Sequence, residues 1–302
     1  MKKSRTGVAL LFLFFLVVGF GVLVFIFSEL SDGGEAGSGL ADFFGFGNKV
    51  GVIEIEGTIS SSDTILKQLE KFGKRSSVKA ILLRINSPGG AVAPAQEIYR
   101  QIGKVRKKKP VVASMETVGA SAAYYIASNT DRIVCSRGTI TGSIGVIMIL
   151  AEVHKIIEKL GVDVNVIKAG KYKDIGSAVR PLTEDERKLL ESFAKEIHEQ
   201  FIHDVATGRK GKIELEKLRT IADGSFFSGE RAHKLGLVDT LGNFYDAVKI
   251  AGKLGGIEGE PELVYPKKKW GGYLNLLLGS VTGLVTRAAD ASRLIQNVPL
   301  VR

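Results

Sequence analysis

The chain has 302 residues, of which 45% are hydrophobic, enough for one large domain or two ordinary ones. Its single cysteine, Cys135, excludes an internal disulfide. The net charge of +10 suggests nucleic-acid binding, but the basic residues are dispersed, with short runs only at 106–109 and 267–269. Because no aromatic-interleaved motif accompanies these runs, a solvated face or attraction to anionic lipid headgroups explains them better.

The N-terminal region carries the signature of a membrane anchor. Residues 7–27 contain no charge and follow three basic residues. Twenty-one helical residues span about 31 Å, which is enough to cross the hydrocarbon core. The basic flank predicts a single-pass protein of the cell membrane with a cytoplasmic N-terminus and an extracytoplasmic catalytic domain. We therefore assign residues 1–29 to the anchor and the Gly-rich residues 30–48 to a flexible linker; a cleaved signal peptide is the alternative.

Residues 49–255 have the pattern of an α/β domain, with strands and helices in alternation. Strands are predicted at 49–59, 78–90, 110–115 and 162–170, with two short strands around a turn within 132–148. Helices are predicted at 62–74, 94–106, 121–129, 150–161 and 182–209. Thr183 and Glu186 form a capping box at the start of the last helix. This alternation predicts a largely parallel sheet.

The last segment, residues 256–302, has a different pattern. Apolar residues recur at helical spacing from residue 274 to residue 295. Polar residues interrupt the stripe too often for a second membrane span. We predict an amphipathic tail that packs on the body of the protein or on a sister subunit.

The stretch GASAAYYIAS, residues 119–128, places Ser121 among small residues at the start of an apolar helix. A serine hydroxyl in such a place is open to close approach, but as a nucleophile it needs a neighbouring base. His154, His198 and His203 lie in predicted helices and His233 lies in GERAHKLG, and none of them sits in a turn that resembles an active-site loop. A Ser-His-Asp triad is therefore poorly supported.

Lysine is the other candidate base. A lysine amine has an ordinary pKa of about 10.4, which must fall by roughly three units to act near neutral pH. Burial in a turn lowers it in this way, and the turn IKAGKYKDIGS, residues 167–177, carries three lysines. For Lys171 we expect a solvent-facing side chain. The spacing does not decide between Lys168 and Lys173.

Two further turns carry candidate catalytic groups. INSPGG, residues 85–90, ends a predicted strand, and its glycines allow backbone amides to approach a developing oxyanion. TGSIG, residues 141–145, carries Ser143, which is either a rival nucleophile or a hydrogen-bond partner that orients a neutral lysine.

These motifs, followed by ADGSFFSGERAHKLGLVDTLG, occur in the order and at the distances of the signal peptide peptidase A (SppA) family, which the chain resembles over residues 49–250. The length resembles the short, single-domain form of that family. The resemblance implies a Ser-Lys dyad serine peptidase with a ClpP/crotonase fold of stacked β-β-α units. Hydrophobic peptides such as remnant signal peptides are the implied substrates, and no metal or cofactor is implied.

Position by position, the resemblance implies that Ser121 is the nucleophile and Lys173 the general base. Gly90, together with the amide of Ala122, matches the oxyanion donors, and Ser143 matches the serine that orients the lysine. Ala122 and Ala123 stand where the family commonly has two glycines. The family also implies homo-oligomeric rings in which serine and lysine of one site come from adjacent subunits.

Three alternatives stay open. A related membrane protease would use the same dyad to cut a specific partner protein. A catalytically silent membrane scaffold would keep the fold without the chemistry, although a lysine buried without use is costly. A crotonase-like acyl-CoA enzyme would share the backbone oxyanion hole, but the predicted anchor places the domain away from cytoplasmic CoA.

Overall fold

The computed structural model describes residues 48–266, in which strands and helices alternate. The first half comprises β1 (Lys49–Glu56), α1 (Asp63–Lys74), β2 (Val78–Ser87), α2 (Val92–Arg106), β3 (Val111–Ala120), α3 (Ala122–Ser128), β4 (Arg132–Cys135) and β5 (Ile140–Gly142). The second half comprises α4 (His154–Lys159), α5 (Glu184–Gly208), α6 (Leu215–Ile221), β6 (Phe226–Ser228), α7 (Gly229–Leu235), β7 (Thr240–Leu241), α8 (Phe244–Leu254) and β8 (Glu262–Val264).

The eight strands form one sheet in the order β6-β5-β3-β2-β1-β8, with β4 pairing to β3 and β7. All these pairs are parallel except β5 with β6, so the predicted largely parallel sheet is confirmed. The residues of β2 divide alternately between two apolar clusters. Leu83 packs on one face, whereas Leu82 packs on the other with α8. Burial on both faces explains why the parallel strands read as nearly continuous apolar runs.

Several local predictions are confirmed by the structure. The apolar residues after Ser121 form α3, every residue of which is buried. Helix α5 begins with the predicted capping box: the Thr183 hydroxyl accepts from the Glu186 amide at 3.3 Å, and the Glu186 carboxylate accepts from the Thr183 amide at 3.0 Å. The two reciprocal bonds satisfy amides that the first turn of a helix leaves without partners.

The segment between β5 and α5 differs from the prediction. The strand predicted at 162–170 is wrong, because these residues form no strand and are exposed. The helix predicted at 150–161 is shortened to α4. A strand needs a neighbour to satisfy its backbone groups, and this segment has none among residues 48–266.

The remaining predictions concern the end of the domain at residue 255 and the two terminal segments. Strand β8 pairs with β1 beyond residue 255, where the sequence places the end of the domain. The predicted anchor at 7–27 and the stripe from residue 274 lie outside the described residues. Within residues 48–266, no helix is long and apolar enough to cross a membrane.

Candidate active site

Ser121 occupies a sharp turn between β3 and α3. Its φ of 52° and ψ of −123° are unusual for a residue with a side chain. Two hydrogen bonds hold the turn: the Ser121 amide donates to the Gly142 carbonyl at 2.9 Å, and the Tyr125 amide donates to the Ser121 carbonyl at 2.8 Å. The side chain is half-buried. The turn therefore presents a serine at the carboxyl edge of the sheet, where parallel α/β proteins bind ligands.

The turn after β2 passes directly against the serine. A Cβ atom on Gly89 would lie 2.8 Å from the Cβ of Ser121 and 2.9 Å from the amide nitrogen of Ala122. Ile59 holds this turn, because its amide donates to the Gly89 carbonyl at 2.9 Å and its carbonyl accepts from the Ala91 amide at 2.7 Å. Only a residue without a side chain at position 89 permits this approach.

Two backbone amides are open beside Ser121. Gly90 is exposed, and within residues 48–266 its amide donates to no acceptor. Ala122 is the first residue of α3, so its amide has no acceptor within the helix. Both residues line the same cavity as Ser121. The site thus has the donors that an oxyanion requires.

The cavity beside Ser121 has a volume of about 100 Å³ and is mainly apolar, with Val92, Ala95, Tyr125, Val146, Ile147, Ile197 and Phe201 in its wall. The rings of Tyr125 and Phe201 pack with centroids 4.7 Å apart. Burial raises the pKa of Tyr125 well above its ordinary value, and its hydroxyl donates to Asp204. This wall suits an uncharged, hydrophobic side chain.

The turn that carries Ser143 is fastened next to the serine turn. Ser143 has a φ of 53°, and its amide donates to the Ser225 carbonyl at 2.8 Å. The carbonyl of Ile144 accepts from the Gly224 amide at 3.1 Å and lies 3.2 Å from Nε2 of His198. Ser143 itself does not line the cavity. Sequence reasoning missed the positioning contacts of Ser225 and His198, which are distant in the chain.

The structure distinguishes the three lysines of residues 167–177. Lys168 contacts the carboxylate of Asp174, and Lys171 lies 2.9 Å from Asp185, whose hydrogen bond raises the pKa of Lys171. Lys173 is exposed, and no carboxylate partner for it is found in the described part of the chain. It also does not line the Ser121 cavity. Within one copy of the chain, the two residues of the expected dyad are not brought together.

The turn that carries Lys173 is tied to the start of α5. Arg180 donates to Asp174 at 2.7 Å and to Glu186 at 2.9 Å. The hydrogen bond from Arg180 and the backbone bond from Thr183 lower the pKa of Glu186 to about 2, so its carboxylate is charged at neutral pH. The pKa of Asp174 is also lowered, chiefly by its hydrogen bond from Arg180. This network fixes the position of the turn relative to the helix.

The preceding segment exposes an unusual amount of apolar surface. We define the apolar arm as residues 147–167. Ile147 is 83% exposed, Ile149 is 86% exposed and Ile167 is 99% exposed. Isolated apolar side chains are common on surfaces, but a contiguous set marks an interaction site.

The histidines take no part in the cavity. His154 and His198 are half-buried, His203 and His233 are exposed, and none of them lines the cavity. In residues 48–266, no three His, Cys, Asp or Glu side chains are grouped to hold a metal ion.

The sheet, the serine turn and the glycine turn define a Clp-protease-like α/β protein, and the Clp protease family model matches residues 44–140. The model of peptidase family S49 matches residues 103–258. The chain belongs to peptidase family S49.

Three relatives illustrate the similarity. A putative protease of Methanocaldococcus jannaschii is 42% identical over 196 residues, covering 65% of this chain and 62% of that protein. A putative protease of Synechocystis is 41% identical over 212 residues, covering 70% and 76%. A putative signal peptide peptidase SppA of Enterococcus faecium is 35% identical over 184 residues, covering 61% and 53%. The matched region is thus between about half and three quarters of each relative.

Proposed function

We propose that the chain is a membrane-anchored serine endopeptidase, with residues 49–255 as its peptidase domain and Ser121 as its nucleophile. The observation that carries the proposal is the turn at Ser121, which sets the hydroxyl beside two open amides and an apolar cavity. Membership of peptidase family S49 supports the serine-peptidase class. Lys173 is the proposed base, because both of its neighbouring lysines have carboxylate partners.

The proposed reaction proceeds through an acyl-enzyme. Ser121 Oγ attacks the peptide carbonyl carbon while neutral Lys173 accepts its proton. The carbonyl oxygen becomes an oxyanion and accepts hydrogen bonds from the amides of Gly90 and Ala122. The C–N bond then breaks, and the ammonium of Lys173 returns the proton to the leaving amine. Water then attacks the ester carbonyl carbon while Lys173 accepts its proton; the ester C–O bond breaks and Lys173 returns that proton to Ser121 Oγ.

Lys173 is proposed to serve the Ser121 of a neighbouring subunit. In one copy of the chain it does not line the cavity, and it belongs to an exposed turn that follows the apolar arm. A neighbour that covers the arm would remove its exposed apolar side chains from water, which favours association. The same contact would desolvate Lys173 and favour its neutral form. Ser143 is the proposed hydrogen-bond partner of that neutral amine.

The proposed substrates are hydrophobic peptides of membrane origin, such as cleaved signal peptides. The apolar wall of the cavity supports this class, and so does the similarity to the putative signal peptide peptidase of Enterococcus faecium. The uncharged run at 7–27 would hold the protein at the membrane where such peptides arise. A related protease that cuts one partner protein is the second candidate, since the same site would serve it.

The test compares the full chain in detergent with Ser121→Ala, Lys173→Ala and Lys171→Ala on a quenched peptide of signal-sequence composition. We expect the first two variants to lose activity and Lys171→Ala to retain it. Activity of the wild type should rise with pH as the amine of Lys173 loses its proton. Full activity in Lys173→Ala would disprove the dyad. If the wild type does not cleave the peptide, the result would favour the protease that cuts one partner protein or the catalytically silent scaffold.

Mixing the two inactive variants tests the shared site. If the dyad spans two subunits, mixed assemblies of Ser121→Ala and Lys173→Ala contain some sites with both wild-type residues. We then expect activity to return on mixing after exchange of subunits. Mixing Ser121→Ala with a Ser121→Ala/Lys173→Ala double variant is the control and should stay inactive. No recovery in exchanging assemblies would place both residues in one subunit.

A further inference from the structure

The C-terminal ends of α1 and α2 lie side by side at the edge of the sheet where the strands begin. The side-chain amine of Lys109, just after α2, donates to the Phe72 carbonyl in the last turn of α1 at 2.9 Å. Between the two helices runs a groove of about 490 Å³, which we call the basic groove. Apolar side chains and lysines line it, among them Leu66, Leu69, Lys74, Lys104, Val105 and Lys108.

The lining of the groove is positively charged, with three lysines against the single carboxylate of Glu70. Lys71, in the last turn of α1, and Lys107, the residue after α2, are exposed but do not line the groove. Glu70 is the carboxylate in its lining, and it pairs with Lys74 at 2.5 Å. In the part of the chain that the structure describes, Lys71, Lys104, Lys107 and Lys108 have no carboxylate partner. Clustered lysines without counter-charges repel one another and attract an anionic surface.

The groove also lies where the preceding chain joins the domain. The Lys49 amide donates to the carbonyl of Ser77, three residues beyond the end of α1, at 3.3 Å. The uncharged run ends at residue 27, which leaves about 20 residues before Asn48. A Gly-rich segment of that length has a root-mean-square span of about 25 Å. A membrane that held residues 7–27 would therefore be within easy reach of the groove.

We propose that the basic groove binds anionic phospholipid headgroups of the membrane that carries the chain. The lysines complement the headgroup charge, and each adds to attraction near an anionic bilayer. The aliphatic side chains on the floor of the groove suit the glycerol and upper acyl region of a phospholipid. Nucleic acid has no such apolar region. The side chains that line the groove include no aromatic residue on which a base could stack.

This contact would orient the peptidase site. Gly90 and Ser121 follow the ends of β2 and β3, at the opposite edge of the sheet from the groove. A ten-residue strand is about 33 Å long. With the groove on the headgroups, Ser121 would face away from the bilayer, and a peptide would have to leave the membrane before cleavage.

The test measures lysine acetylation by mass spectrometry on the full chain in lipid nanodiscs, with zwitterionic lipid alone or with added anionic lipid. We expect anionic lipid to slow labelling of the lysines that line the groove, Lys74, Lys104 and Lys108, roughly fivefold. Lys188 and Lys195, in the first half of α5, the helix whose Ile197 and Phe201 line the Ser121 cavity, are the controls and should be unchanged. Salt at about 0.5 M should remove the protection.

A matched pair of variants checks that the groove acts as a unit. In Lys104→Gln/Lys108→Gln, protection of Lys74 by anionic lipid should weaken, whereas Lys188→Gln/Lys195→Gln should keep it. Equal labelling in both lipids would overturn the proposal, as would equal protection of the control lysines. Protection by a polynucleotide but not by anionic lipid would also overturn it. The proposal rests on the membrane anchor of the proposed function but not on its chemistry, and peptidase activity is not part of the readout, so failure of the groove and failure of the peptidase assignment are distinguishable.

Discussion

The backbone amide of Ser121 donates a hydrogen bond of 2.9 Å to the carbonyl oxygen of Gly142. This bond joins the serine turn at the end of β3 to the turn after β5, in which Ser143 is the next residue. Both Ser121 and Ser143 have positive φ, at 52° and 53°. Such backbone is strained for residues with a side chain, and it persists where surrounding contacts determine it. The two turns therefore form one rigid unit at the carboxyl edge of the sheet.

Gly90→Ala should reduce peptidase activity by about 10²–10³-fold, the usual effect of losing one oxyanion donor. A Cβ on Gly90 would lie 2.1 Å from the Ile59 carbonyl oxygen, so the turn must shift and move its amide. The measurement is kcat/KM on the quenched peptide. Gly138→Ala is the control, because its new Cβ meets no atom within 4 Å. Wild-type activity in Gly90→Ala would remove this amide from the proposed oxyanion site.

Ile197→Ala should shift cleavage towards larger side chains. Ile197 lines the cavity beside Ser121, and its truncation adds space there. We expect the ratio of kcat/KM for Phe over Ala peptides to rise about tenfold, with a stability loss of about 1–2 kcal/mol because the side chain is half-buried. Leu189→Ala, on the same helix but outside the cavity, is the control. An unchanged ratio would mean that the cavity does not receive the substrate side chain.

Ile167→Asp should weaken self-association and activity together. Ile167 is 99% exposed, so a charge there costs nothing within one copy of the chain but would be buried at the proposed subunit contact. Sedimentation velocity should show smaller species, and activity should become concentration-dependent. Tyr245→Asp, at a residue that is 69% exposed on α8, is the control. An Ile167→Asp protein that stays assembled and active would exclude the apolar arm from the contact.

Asp239→Asn should lower the free energy of unfolding by about 3–5 kcal/mol at neutral pH, as expected when a buried ion pair loses one partner. Asp239 is buried beside Arg209, with a shortest distance of 2.7 Å, and also accepts from the Ile133 amide at 2.8 Å. Urea unfolding at pH 7 measures the effect. Glu230→Gln, which breaks an exposed pair with Arg137, is the control and should change little.

The same pair predicts an acid dependence. Burial alone would raise the pKa of Asp239, but the hydrogen bond and charge of Arg209 outweigh burial and lower it below its ordinary 3.8. A lowered pKa means that the contribution is present above pH 3.8 and is lost as the pH falls below that value. The difference between wild type and Asp239→Asn should therefore shrink in urea titrations below pH 3.8. A constant difference would contradict the assignment.

Local patterns accounted for much of the fold and part of the site. The apolar runs of β2 and β3, the capping box of α5 and the small residues around Ser121 all act within a few positions of the chain. The sequence pattern failed at 162–170, where β-branched residues in alternation predicted a strand. Strand formation depends on a neighbouring strand, and a local pattern carries no information about that neighbour.

The spacing of residues along the chain also could not show which of the lysines is the base. Lys168, Lys171 and Lys173 share one turn, and only the folded chain shows that Asp174 and Asp185 engage the first two. The positioning contact of His198 with Ile144 joins residues 54 positions apart. Such contacts depend on how α5 packs over the sheet, which no local pattern reports.

The sequence by itself determined the alternating α/β order, the parallel sheet and the family-like motifs, because hydrophobic periodicity and turn chemistry are local. The tertiary structure decided which groups meet. It placed Gly89, Gly90 and Ala122 against Ser121, left Lys173 outside the cavity, and aligned the ends of α1 and α2 into one basic groove. These relationships arise from packing between segments distant in the chain, where burial and steric exclusion act only once the elements are assembled.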